Sequence, residues 1–147
     1  MTSNVQNFSR SGKWFKGSEQ RFVLFRGVNF ASRTKLPPYL PTLPLEIKKL
    51  DEQGIAKFHE EIANLQSEFD KMKNLGINMV RLLVMWKAIE LEPSPNPEIL
   101  SEAGLDYLKL VRKIVDEFYS REIFVILSKI IKLFYEILSF QNQAGTT

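Results

Sequence analysis

The stretch from Ile55 to Met85 constrains the fold more than any other. Ile55, Phe58, Ile62, Leu65, Phe69, Met72 and Leu75 recur at steps of three and four, which places them on one face of a helix. Lys57, Glu60, Glu61, Glu68, Asp70, Lys71 and Lys73 fill the other side. Gly76 follows at once, where a left-handed residue is expected to end the helix. Ile77 to Met85 then reads as a strand. So tight a helix-to-strand join is typical of a βαβ unit, in which a helix carries the chain between parallel strands.

The same grammar continues on both sides. Upstream, the β-prone run Phe22-Val23-Leu24-Phe25 leads into Arg26-Gly27-Val28-Asn29-Phe30, which reads as a buried strand. Pro37, Pro38, Pro41 and Pro44 fall within eight residues and exclude a helix interior, so a long loop follows that strand. Loops of this kind commonly carry function. Downstream come a loop with Pro93, Pro95 and Pro97 and an amphipathic helix showing Leu105, Leu108, Val111, Val115 and Phe118. The third strand, Ile123 to Leu127, is continuously apolar, as a strand covered on both faces would be. The order β-loop-α-β-loop-α-β is an α/β layout, with right-handed crossovers expected. In such proteins ligands gather at the carboxyl ends of the strands. Polar residues at or just beyond the carboxyl ends of these strands are therefore where a ligand would be met.

Composition narrows the functions. Of 147 residues, 44% are hydrophobic and 25% charged, which is the balance of a globular domain. The absence of cysteine removes disulfides, thiolate metal sites and thiol nucleophiles. A net charge of +3 is mild, its cations are scattered, and the densest cluster is Lys48-Lys49, so no nucleic-acid partner is expected. No cofactor or metal is expected either. Residues 1–21 read as a polar leader with Trp14 and Phe15 as isolated aromatics and no apolar signal segment, implying a cytoplasmic protein if that start is native. His59, the single histidine, lies at the edge of the first helix's apolar stripe and reads as a surface residue. Ile130 to Leu138 reads as an amphipathic helix; Lys129, Lys132 and Glu136 interrupt it too often for a membrane span. A polar tail, 141–147, is expected to fray.

Taken together, RGVNF, the loop residues Ser32, Lys35, Pro37 and Pro38, and the run from Gly76 to Trp86 resemble the opening of the retaining glycoside hydrolases of family five. The resemblance covers residues 22–127. The Ser-Arg-Thr-Lys run at 32–35 is similar to the endoglycoceramidase and steryl-glucosidase branch. It implies a (β/α)8 TIM barrel acting on a glycan or glycolipid. Such a barrel needs about 250 residues, so the expectation for 22–140 is an incomplete one: about the first three strands with two to three helices. The family's mechanism needs two carboxyl groups about 5–5.5 Å apart, borne in the family on the fourth and seventh strands. No catalytic residue is therefore expected in this chain. Glu92-Pro93 has Leu91 where the family's acid/base motif has asparagine, and matches the second-strand loop instead.

By the same resemblance, Arg81 matches the arginine beneath the nucleophile, where a guanidinium keeps a carboxylate ionised and oriented. The alternative is a structural arginine, which needs a partner if buried. Asn29 and Lys35 match positions that can face the sugar, although Lys35 also suits a solvated loop. Trp86 suits sugar stacking or packing at a strand end. Gly27 suits a close backbone approach or an unusual φ. After the third strand the family branch carries Asp-x-His-Gln-Asp; this chain reads Ser128-Lys129-Ile130-Ile131-Lys132, without those polar groups. Arg121-Glu122 stands where a glycine normally precedes that strand. The expected function is a truncated glycoside hydrolase, its site residues vestigial and the fragment inactive alone. The alternatives are a non-catalytic binding protein, or one half of a split enzyme completed by a complementary barrel fragment. Three open parallel strands would otherwise invite aggregation.

Overall fold

The computed structural model describes residues 9–17, 19–89 and 100–130. Glu90, Glu92, the loop with Pro93, Pro95 and Pro97, the helix expected to reach Leu138 and the polar tail lie outside the described residues.

Two three-stranded sheets are present. The first is antiparallel and built from β1 (Ser9–Ser11), β2 (Trp14–Lys16) and β3 (Phe22–Val23). Phe15 and Lys16, within the segment expected as a polar leader, pair with Val23 and Phe22. Gly12, at φ +62°, turns the hairpin. The second sheet is parallel, in the order β4 (Gly27–Phe30), β5 (Met79–Met85), β6 (Phe124–Ile130). Between β4 and β5 run α1 (Glu52–Asn64) and α2 (Gln66–Asn74); α3 (Trp86–Ile89) and α4 (Glu102–Tyr119) follow β5. The α/β layout read from the sequence is the one observed.

Local chemistry explains the boundaries. Asp51 and Ser101 cap α1 and α4 by accepting from the N–H groups of Gly54 and Gly104, which satisfies amides a helix start leaves unpaired. Any side chain at Gly54 or Gly104 would collide with the Lys49 or Ile89 carbonyl, 2.2 Å from the added carbon. Gly76, at φ +74°, closes α2 in a paired arrangement: its N–H donates to Lys73 and that of Ile77 to Met72. Glu122, at φ +59°, closes α4 in the same geometry, with Glu122 donating to Tyr119 and Ile123 to Phe118. The departure from glycine noted in the sequence therefore falls on a left-handed position.

The core lies between one face of the parallel sheet and the helices. Val80, Leu82 and Val84 of β5 meet Phe58, Ile62 and Phe69 of α1 and α2, and Tyr107, Leu110, Val111, Ile114 and Phe118 of α4. Each such side chain contributes about 1.5–3 kcal/mol on burial. Phe118 meets Phe30 and Phe69 edge to face at 5.0 Å between centroids, and Phe30 and Phe69 lie tilted at 6.0 Å, so the three rings join β4, α2 and α4.

Three expectations are corrected. The first helix is two, because the chain leaves the helical path at Leu65, and Leu75 is exposed. The buried stripe of α4 runs through Tyr107, Leu110, Val111, Ile114 and Phe118, leaving Leu105 exposed, because Tyr107 turns inward under the proline-rich loop. Nor are the outer strands buried on both faces. Val28, Ile126 and Leu127 are exposed, because β4 and β6 are the edges of this sheet among the described residues.

Candidate functional site

Strand register decides which polar groups meet. Residues Val28, Val80 and Val125 align across the sheet on its helical side, whereas Asn29, Arg81 and Ile126 form the next row on the opposite face. Asn29 and Arg81 are thus direct neighbours, both exposed. Arg81 donates from Nη2 to Ser128 Oγ at 2.8 Å. Ser128 stands opposite Leu83, two residues nearer the carboxyl end of β5, so the guanidinium reaches toward that end. Asn29 and Arg81 thus share one row, and Ser128, two residues further along the same face, joins them through Arg81. Ser128 was missed in the sequence, although alternation along β6 puts it on the same face as Ile126. The register against Arg81 is what the sequence could not supply.

Gly27 underlies this row by close approach. A β-carbon there would meet the Met79 terminal methyl at 2.8 Å and the Met79 carbonyl oxygen at 3.3 Å. Asn78 ties the preceding segment down: its Oδ1 accepts from Arg26 N at 2.8 Å and its Nδ2 donates to Leu24 O at 2.9 Å. These contacts give Gly27 and Asn78, both in the quoted motifs, structural duties.

The loop from Ala31 to Leu50 is organised by Arg33. Its guanidinium is buried and donates to the carbonyls of Leu43 (3.3 Å), Pro37 (2.6 Å) and Ile47. Three carbonyls converging on one cation shape the loop as a belt. Lys35 rides on this belt, exposed and without a hydrogen bond to a described residue. The structure does not bring it into the Asn29–Arg81 row by any contact. Trp86 opens α3 directly after β5, half-buried and packed against the core. His59 is exposed on α1.

A separate cleft of about 520 Å³ opens between the proline-rich loop and α4, lined in part by Pro38, Tyr39, Lys49, Ala88, Asp106 and Tyr107. Tyr39, left-handed at φ +70°, accepts from Tyr107 Oη at 3.2 Å. Burial pushes the Tyr107 phenol up to about 12, partly offset by a backbone hydrogen bond at Met85. Neither Asn29 nor Arg81 lines this cleft. Among the described residues no three His, Asp or Glu side chains group as a metal site, and no helix is long and apolar enough to cross a membrane.

Asn29, Arg81 and Ser128 thus present polar groups on the face of the parallel sheet turned away from the helical core. Residues 44–129 match the sequence model of the family described as Cellulase (glycosyl hydrolase family 5). The chain belongs to glycoside hydrolase family 5. It is also 30% identical over 105 residues to a protein named Glucosylceramidase from Rhizopus delemar, an alignment covering 67% of this chain and 15% of that relative. The chain thus spans a small part of the length of the curated relative that it matches.

Proposed function

We propose that residues 22–140 supply the opening strands of a (β/α)8 barrel of a retaining glycoside hydrolase. In this reading Asn29 and Arg81 face the sugar and the two catalytic carboxylates stand on later strands, so the 147-residue chain alone is expected not to hydrolyse a glycoside. The observation that carries this reading is the grouping of Asn29, Arg81 and Ser128 on the sheet face turned away from the helical core. Among the described residues the exposed Arg81 guanidinium meets a neutral hydroxyl and no carboxylate. A carboxylate from a later strand, placed beside it, would be held ionised and oriented for attack. Asn29 would hydrogen-bond a sugar hydroxyl, with Lys35 at the rim; Trp86 contributes packing more than stacking, in keeping with its place against the core. The name of the Rhizopus delemar relative suggests a glucosyl-lipid as the substrate of the whole enzyme. Exposed Ile126 and Leu127 on edge strand β6 favour completion by further strands, in the same polypeptide or from a complementary partner.

Titration of the ¹⁵N-labelled chain with methyl β-D-glucoside tests the site. An isolated half-site should bind weakly, with a dissociation constant on the order of 10 mM. The Asn29 side-chain amide and the Arg81 Nε–H should move together and saturate. Shifts confined to the cleft around Tyr107, or to the outer helical surfaces, would reject the assignment.

A further inference from the structure

The antiparallel sheet has two unlike sides. Register sends Arg10, Phe15 and Val23 to one of them, and Phe15 packs on Phe25 at 5.5 Å, which in turn meets Phe124 of β6 at 5.9 Å. That side is anchored to the parallel sheet. The other side carries Ser9, Ser11, Trp14, Lys16 and Phe22. Its rings are in edge contact at 6.2 Å yet Trp14 is 51% exposed and Phe22 65%, and Leu24 beyond them is 72% exposed. Lys13 Nζ lies 5.7 Å from the Trp14 ring centre and Lys16 Nζ 5.2 Å from that of Phe22. Lys13 and Lys16 are the cations beside these rings; Arg10 lies on the anchored side, and Arg21 pairs with Glu19, the single anion of residues 9–25.

We propose that this face docks onto an anionic lipid surface. Aromatic rings with an apolar body favour the boundary between acyl chains and headgroups, and flexible lysine stems place their ammonium groups at the level of the phosphates. Because the two lysines already lie beside the exposed rings, inserting the rings carries both cations to that depth. The net positive charge complements an anionic leaflet. A protein partner fits less well. The exposed parts of Trp14, Phe22 and Leu24 amount to on the order of 400 Å², short of the ~800 Å² per side of a standard protein interface. This inference does not depend on the sugar chemistry proposed above, and its test reads no hydrolysis.

The experiment is co-sedimentation of the 147-residue chain with unilamellar vesicles of phosphatidylcholine, alone or with about one-third phosphatidylserine. Partitioning should be roughly tenfold or more stronger with phosphatidylserine, should weaken as salt rises, and should be accompanied by a blue shift of tryptophan emission. The variant Trp14→Ser/Phe22→Ser/Leu24→Ser should lose binding and Lys13→Glu/Lys16→Glu should weaken it, whereas Ile126→Ser/Leu127→Ser, on the other sheet, should retain it. Equal binding to neutral vesicles would overturn the proposal, as would loss of binding only in the Ile126/Leu127 variant. Lipid-free self-association abolished by the Trp14/Phe22/Leu24 variant would overturn it in favour of a second copy. Should that variant unfold, brominated lipid decides with the unaltered chain: quenching that Trp14→Phe removes supports insertion, and quenching that persists contradicts it.

Discussion

Arg33 and Arg81 are close in type and opposite in situation. Arg33 is buried against three backbone carbonyls, so its loss would leave those acceptors unpaired and loosen the belt that carries Lys35. Arg33→Ala should destabilise the chain by about 3 kcal/mol in denaturant unfolding. Arg81→Ala removes an exposed guanidinium bonded to one hydroxyl and should cost under about 1 kcal/mol; a large loss would show that Arg81 is a structural arginine. Glu122 offers the converse test. It holds a left-handed backbone with φ +59° and an exposed pair with Lys73 at 2.8 Å. Relief of the backbone strain, about 1 kcal/mol, should outweigh an exposed ion pair worth a few tenths. Glu122→Gly should therefore raise the midpoint of thermal unfolding. Sequence alone identified Arg81 as a strand residue of interest but gave no hint that Arg33 is buried, because its partners are backbone carbonyls that side-chain types do not reveal.

At the level of elements, the joins explain why this sequence folds as it does. Gly76 ends α2 with φ +74°, and its absent side chain leaves room for the Arg26 guanidinium, whose Nη2 lies 3.1 Å from where a β-carbon would stand. Gly76→Ala should cost about 1–2 kcal/mol, read as a lower denaturation midpoint with an unchanged slope. The order of helices and strands was legible because apolar spacing, proline clusters and Gly76 agree with one another. What was not legible came from tertiary contacts: the break at Leu65, the turn of α4 that buries Tyr107 beneath Tyr39, and the pairing of Ser9–Ser11 with Trp14–Lys16 and of Phe15-Lys16 with Phe22-Val23. The candidate row divides the same way. Asn29 and Arg81 were readable on their strands, but Ser128 becomes their companion only through the register of β6. α2 and α4 are clamped by Arg121, whose side chain is 14% exposed and binds Asp70, Glu117 and Gln66 at 2.6–3.1 Å.

For the whole molecule, packing on one face of the parallel sheet carries the stability, and the proposed site lies on the other. Tyr107, fully buried in the shared core, couples stability to alkaline pH. Its phenol is pushed up to about 12 in the folded chain, against about 10 when unfolded. The folded state therefore holds its proton more tightly, and that stability is present below pH ~10 and lost as pH rises toward ~12. Tyr107→Phe should flatten this part of the stability profile, measured by urea unfolding at successive pH values.

The most direct measurement of the central claim is hydrolysis of aryl β-glucosides and glucosylceramide by the purified 147-residue chain, with circular dichroism recorded on the same sample. A folded α/β spectrum with no turnover above background is the predicted result, because the described site offers Arg81, Asn29 and Ser128 but not the carboxylate pair that retention requires. Turnover by the folded chain would contradict the account and show that its carboxylates suffice for the reaction.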